Sequence, residues 1–326
     1  MATPSPLART LNVPSVVEVA TYLPGPACTN ILLGLGARVT KVTRPGGDPL
    51  RVMPPLSAAY GLLNAGKEER ELDLKSPVGM AELRALAASA DVLVDGLRPG
   101  ALTRLGLGAA ELRAANPRLI YCALSAYGLG TPAEGVAGHD LNMVALAGLL
   151  ATTTAAGQPA LPGTQLADLV SGLAAAAGIM AALHDRARTG AGCALDASML
   201  AAARWLMAPW YAAERAGTAD GTLSGAAAYY RAYPTADGRH LALGAIEPHF
   251  WARFCAALGR PDLVARQYET DQEAVAREVA AIVAGRTLAD WRAALAGLDA
   301  CVSPALTLAE AAAEGEPDAR LPVREA

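Results

Sequence analysis

Three short segments carry the residue types that can move a proton. His139 stands in Gly138-His-Asp-Leu-Asn142, Asp168 in Gln165-Leu-Ala-Asp-Leu-Val-Ser-Gly172, and Glu247 in Gly244-Ala-Ile-Glu-Pro248. Imidazoles and carboxylates serve as general acids and bases when their surroundings bring their titration toward neutral pH. Each residue also has a structural reading. A histidine at a helix start is commonly a cap or a surface group. Glu247 falls where a strand end runs into a helix, and the helix dipole favours a carboxylate in the first turn. Asp168 opens a very apolar stretch, so it either caps that helix or is held at its N-terminus for use. Asp140 reads equally as an N-terminal acid.

The elements that must position these residues follow from periodicity and punctuation. Val16–Ala20 is a short β-branched run, Pro24-Gly-Pro26 a turn, 27–35 a helix and Arg38–Thr43 a second strand. A helix over Pro77–Ser89, a strand over Asp91–Asp95, a helix over Ala109–Ala115 and a strand over Leu119–Leu124 repeat the pattern. Strands that are nearly continuous Val, Leu and Ile runs, alternating with helices, predict a parallel sheet covered on both faces. Helices are expected over 139–150, 166–188 and 197–215. Beyond Ala226, the runs Tyr229–Pro234 and His240–Gly244 flank Asp237-Gly238, a hairpin signal. Helices follow at 248–258, 272–284 and 288–296. The expected class is α/β: a doubly wound, Rossmann-like large domain over 1–225, a smaller α+β domain over 226–310, and a tail over 311–326.

Composition removes several functions. The 27 Lys+Arg against 31 Asp+Glu leave a net charge of −4, without the basic face of a nucleic-acid binder. The longest apolar stretch, Leu166–Leu183, is richest in alanine and is interrupted by Asp168 and two glycines, which reads as a buried or half-buried helix and not a membrane span. Met1–Pro14 lacks the basic-then-apolar order of a secretory signal. Five scattered cysteines with no CxxC pair read as reduced thiols, so a cytoplasmic location is expected, and neither they nor the histidines form a metal-ligand cluster. The turn after the first strand, Thr21–Cys28, has neither GxGxxG nor the Walker pattern.

Several segments taken together carry a resemblance. They are Pro24-Gly-Pro26, Leu35-Gly-Ala-Arg-Val-Thr-Lys-Val-Thr-Arg-Pro45, Asn64-Ala-Gly-Lys67, Leu72-Asp-Leu-Lys75 and Asp91-Val-Leu-Val-Asp-Gly-Leu-Arg-Pro-Gly100. Asn116-Pro-Arg-Leu-Ile-Tyr121, Ala137-Gly-His-Asp-Leu-Asn142 and Asp299-Ala-Cys-Val-Ser-Pro304 extend them in order. From about Val16 to Glu310 the chain resembles the family III CoA-transferase superfamily and, within it, the α-methylacyl-CoA racemases. The resemblance implies that His139 and Asp168 are the two acid/base groups and that Glu247 pairs with the histidine. It implies CoA contacts at Arg44, Lys67, Leu74, Lys75 and Arg98. It also implies an interlocked homodimer whose active sites lie between the large domain of one chain and the small domain of its partner. Tyr127, just past a strand end, is expected near the pantetheine arm. Thr164 stands where racemases carry an asparagine.

Inverting a carbon α to a thioester needs a base on one face and an acid on the other, each worth roughly 10²- to 10⁴-fold. The enolate between the two steps needs donors at the thioester oxygen, and the helix beginning near Asp168 is expected to offer one. No cofactor beyond the CoA moiety of the substrate is required. The expected activity is racemisation of 2-methyl-branched acyl-CoA. Transferases of the superfamily instead use the matching aspartate as a nucleophile, carrying the acyl group as an anhydride. They typically lack the Gly-His-Asp histidine, so His139 and Glu247 favour proton transfer. A third reading is an accessory protein that binds CoA thioesters without turning them over.

Overall fold

A computed structural model describes residues 14–155 and 158–315. The N-terminal segment read for a secretory signal and most of the 311–326 tail lie outside those residues. The chain divides into two compact units, one ending at Ala208 and the other beginning at Pro209, ahead of the boundary expected at 225/226.

The first unit is built on six parallel strands. They are β1 (Ser15–Val19), β2 (Arg38–Thr43), β3 (Glu68–Glu71), β4 (Val92–Asp95), β5 (Ile120–Ser125) and β6 (Ala194–Ser198). Their order across the sheet is β3-β2-β1-β4-β5-β6, with Val17 level with both Thr40 and Leu93. Alternate residues divide between two cores, as period-2 geometry requires. Val17, Leu93, Tyr121 and Ala123 pack on the helix α3 (Pro77–Ser89) side, and Leu83 of that helix is fully buried there. Val16, Val92, Val94, Ile120 and Cys122 pack on α1 (Pro24–Gly34) and on a long helix over Leu166–Thr189. The sheet is therefore doubly wound. The strand order reverses between β1 and β4, and in such sheets ligands bind outside the strand C-termini at that reversal.

Further helices of this unit include α2 (Ser57–Asn64), α4 (Ala109–Ala115), α5 (Asp140–Leu146), α6 (Leu166–Thr189) and α7 (Met199–Leu206). Helix α6 is long and apolar enough to cross a bilayer by length and composition. Its inner residues Ala175, Ala176 and Ile179 nevertheless belong to the sheet core, and Arg186 near its end pairs with Asp91 at 2.8 Å. A core helix is the result. Its approach to α1 depends on Gly172, where a Cβ would stand 2.7 Å from the Pro24 carbonyl oxygen and 3.1 Å from the Ala27 Cβ. Gly172→Ala is expected to cost about 1–3 kcal/mol through overpacking, measurable as a lower urea midpoint at unchanged slope.

Three local readings are corrected. Pro24-Gly-Pro26 is the first turn of α1 and not a separate turn, because prolines at a helix start forfeit only N–H groups that have no intrahelical acceptor. The helix expected over 139–150 breaks at Gly148, whose φ of 77° ends α5 before a one-turn helix over Leu149–Thr152. The helix expected from Ala197 is strand β6 to Ser198, whose side chain then accepts from the Ala201 N–H as cap of α7.

The second unit holds an antiparallel sheet of β7 (Tyr230–Pro234), β8 (His240–Gly244) and β9 (Val302–Pro304), in the order β9-β8-β7. The hairpin register pairs Leu241 with Tyr233 around the Asp-Gly turn. Helices α8 (Pro248–Ala257), α9 (Gln272–Val283) and α10 (Leu288–Ala294) cover it. Trp251, Phe254, Val275, Val279 and Trp291 form the core. Both indole N–H groups are satisfied inside it, Trp251 by the Leu263 carbonyl at 3.0 Å and Trp291 by the Val283 carbonyl at 2.8 Å.

Candidate active site

Two cavities of the first unit open at the strand reversal. The larger, about 450 Å³, is bordered by the ends of β1 (Thr21, Tyr22), β4 (Gly96, Arg98) and β5 (Ser125), and by the first turn of α1. Gly25 is required in that turn, since a Cβ there would fall 2.2 Å from the Ala20 side chain at the end of β1. The smaller, about 320 Å³, is mostly apolar, with Leu23, Leu50, Met53, Leu56 and Val144 among its walls. Three residues border both cavities: Tyr22, His139 and Asp168.

Asp140 brings the histidine and the aspartate together. Its Oδ1 accepts from the N–H groups of Ala167 at 2.6 Å and Asp168 at 3.1 Å, clipping the start of α6 to the start of α5. His139 is the residue immediately before, exposed, with its own N–H donated to Asn142 Oδ1 at 3.0 Å. Asp140 is thus more than an N-terminal acid of its own helix. It also takes two N–H groups of the α6 N-terminus. The thioester donor expected from that helix start is therefore not offered by Ala167 or Asp168, and the α1 start at Gly25 is another helix N-terminus bordering the larger cavity.

Burial, and then repulsion from Asp140, raise the Asp168 carboxyl from 3.8 to about 7. Position in the first turn of a helix acts the other way, and loss of solvent outweighs it. The group therefore exchanges a proton near neutrality, which suits an acid in one direction and a base in the other. Asp140→Asn keeps an acceptor oxygen for the clip but removes the like charge. The inflection that Asp168 contributes to the kcat–pH profile is expected to move to lower pH, only part of the way, because the burial remains. A shift to higher pH would contradict this assignment.

The other expected residues fall in different places. Arg98 is exposed and borders the larger cavity. Arg44 and Lys75 are exposed, Leu74 is half-buried, and the bond from the Leu72 N–H to the Thr43 carbonyl at 2.8 Å sets the 72–75 segment beside Arg44. Tyr127 does not border the cavities; its hydroxyl donates to the Ala137 carbonyl at 3.4 Å, two residues before His139. Thr164 borders the smaller cavity. Glu247 is exposed in the second unit as N-cap of α8, where its carbonyl accepts from Phe250 at 3.0 Å.

Lys67 is a correction. Its ammonium is fully buried, ion-paired to Glu18 Oε2 at 2.8 Å and bonded to the Pro26 carbonyl, Thr29 Oγ1 and Asn64 Oδ1 at 3.0, 2.7 and 3.1 Å. Lys41, level with Glu18 across β1 and β2, pairs with Glu18 Oε1 at 2.5 Å and with Asp48 at 3.0 Å. Two lysines and two carboxylates therefore neutralise one another behind the wall of the larger cavity. Lys67 holds that wall and has no face free for a CoA phosphate.

A family model described as CoA-transferase family III matches residues 12–325. The chain is 38% identical to human alpha-methylacyl-CoA racemase over 91% of its own length and 78% of that protein. It is 34% identical to human succinyl-CoA:glutarate CoA-transferase over 76% of its length and 59% of that protein. A solved structure of a hypothetical protein (Rv3272) from Mycobacterium tuberculosis aligns with a TM-score of 0.83 at 30% identity, covering 97% of this chain and 87% of that one. The cavities at the strand reversal, the paired histidine and aspartate beside them, and these likenesses agree: the chain is an enzyme of CoA-transferase family III.

Proposed function

We propose that this enzyme racemises 2-methyl-branched acyl-CoA thioesters by moving the α-proton between His139 and Asp168 through an enolate. The observation that carries the reading is that these two side chains border the same two cavities, one reaching Arg98 and the other largely apolar. In this reading the CoA arm occupies the larger cavity, with Arg44, Leu74, Lys75 and Arg98 along its course. The acyl tail occupies the smaller. Asp168, poised near neutral pH, gives and takes the proton on one side of the α-carbon, and His139 does so on the other. Nothing beyond the CoA moiety is needed as cofactor.

Assembly as a homodimer with shared sites belongs to the same proposal, with Glu247 supplied from a small domain to the histidine. A run of exposed apolar side chains supports it: Leu141 and Leu146 on α5, Leu169 and Leu173 on α6, and Trp205 on α7, the last 72% exposed. These helices pack on one another, and exposed apolar side chains of this kind suit contact with a second copy. Five free cysteines fit a reducing, cytoplasmic setting.

A second reading is transfer of CoA between carboxylic acids, with Asp168 as nucleophile. The transferase among the relatives favours it. Incubation with a 2-methylacyl-CoA in deuterium oxide separates the two. Deuterium at the α-carbon is expected. Absence of exchange, with CoA passing to a labelled acceptor acid and hydroxylamine trapping an aspartyl adduct, would select the transferase. Binding with neither chemistry would select an accessory role.

A further inference from the structure

We propose that Tyr22 determines which substituent the enzyme accepts on the α-carbon, its ring being the partition between the two cavities. The inference rests on the racemase reading and specifies the substrates of the same site. Of the three residues common to both cavities, His139 and Asp168 have the proton-transfer roles. Tyr22 is the third, and it has no step to perform. Its ring stands edge-on to the His139 imidazole, with centroids 6.3 Å apart and planes at 80°.

The backbone marks Tyr22 as held in place. Its φ is 63°, in the left-handed region that bulky side chains rarely adopt. Such an outlier persists only where its surroundings over-determine it, and outliers of this kind cluster at functional sites. Here the residues that follow it are fixed. Leu23 is buried with Leu50, Tyr60 and Leu63, and Pro24 opens α1. The Tyr22 N–H points at Asp48 Oδ1, 3.5 Å away, and the same oxygen accepts from Leu50 at 2.9 Å. Asp48 is in turn fixed by Lys41. The backbone that carries the ring is therefore tied to the buried charge cluster.

A thioester whose CoA arm lies in one cavity and whose tail lies in the other has its α-carbon at the seam. The hydrogen on that carbon must face a base, and the tail runs on into the apolar cavity. The remaining substituent meets the Tyr22 ring. A methyl group is accommodated, and a longer branch is excluded by contact. Discrimination by one added methylene in a closely packed pocket is on the order of 10- to 200-fold.

Three variants test this. Tyr22→Gly removes the ring and suits the backbone, Tyr22→Asn keeps an intermediate side chain that tolerates positive φ, and Tyr22→Phe keeps the ring. For each, dissociation constants are measured for unreactive CoA thioethers bearing 2-methyl or 2-ethyl branches. Deuterium-exchange kcat/KM values are measured for the matching thioesters. The preference for methyl over ethyl is expected to fall about ten-fold or more in Tyr22→Gly, less in Tyr22→Asn, and not at all in Tyr22→Phe. Thermal unfolding of Tyr22→Gly at or above the wild-type midpoint shows that the fold is kept. An unchanged preference in a folded Tyr22→Gly, or an equal change in Tyr22→Phe, overturns the proposal. If the thioether preference relaxes but no thioester exchanges deuterium, the partition stands and the racemase reading falls. If exchange proceeds and the preference stays fixed, the reverse holds.

Discussion

Asp168→Asn is expected to lower interconversion of 2-methylacyl-CoA enantiomers by roughly 10²- to 10⁴-fold while leaving thioester binding nearly intact. The substitution is almost isosteric and keeps the backbone N–H that Asp140 accepts. Arg98 and the 72–75 segment, which would hold the CoA part, are untouched. The loss should therefore appear in kcat and not in KM. The same variant has a stability signature of opposite sign. The Asp168 carboxyl sits near 7 in the fold against 3.8 ordinarily, raised first by burial and then by Asp140. Between those values the native state holds a proton that the unfolded chain has released, so ionising the group costs stability as pH rises through that window. The cost is complete above about 7. Asp168→Asn removes it, and its thermal midpoint should exceed that of the wild type most in mildly alkaline buffer, by less in mildly acidic buffer, and match it only as pH falls to the ordinary carboxyl value of 3.8. A variant that is slower yet more stable at high pH is the pattern of a side chain kept for chemistry.

Lys67→Ala is expected to destabilise the protein by about 3–5 kcal/mol, because it strips a buried carboxylate of one of its two cations. Although burial alone would raise the Glu18 carboxyl, Lys67 and Lys41 hold it below its usual range. That stabilisation is present above the ordinary carboxylate pKa and is lost as pH falls through the depressed value. Chemical unfolding at neutral pH would show the loss directly. Arg98→Ala supplies the contrast. It should change the unfolding free energy by less than about 0.5 kcal/mol and raise KM for the thioester. Were Lys67 a phosphate contact, the two variants would behave alike. A Glu18→Gln, Lys67→Met pair should recover part of the stability, since removing both charges leaves no unpaired one.

Much of the fold was legible because β1, β4 and β5 are buried on both faces and so read as largely apolar runs, while β2 reads through its β-branched Val and Thr residues. Strand β3 was not. Its four residues, Glu68 to Glu71, are all exposed, and only backbone pairing with β2 makes them a strand. The Asp-Gly hairpin was legible because the turn chemistry is local. The clip made by Asp140 was not, since its acceptor oxygen serves N–H groups 27 and 28 residues away.

Resemblance gave the positions of His139, Asp168 and Lys67 but not their surroundings, and surroundings decide roles. Glu18 and Lys41 did leave a signal. Glu18 is a charge inside an apolar run and Lys41 a charge between β-branched residues, and a sheet covered on both faces leaves such a pair no solvent, only each other. Tyr22 left none, because a left-handed backbone at a non-glycine residue depends on what holds its neighbours.

The most direct test of the two-base account follows each enantiomer separately in deuterium oxide, with wild-type enzyme and with the His139→Ala and Asp168→Asn variants. The account predicts that wild type labels both enantiomers with inversion. Each variant should exchange the α-proton of one enantiomer only, a different one in each case, with almost no inversion. Loss of exchange from both enantiomers in both variants, or inversion that survives either substitution, would contradict it.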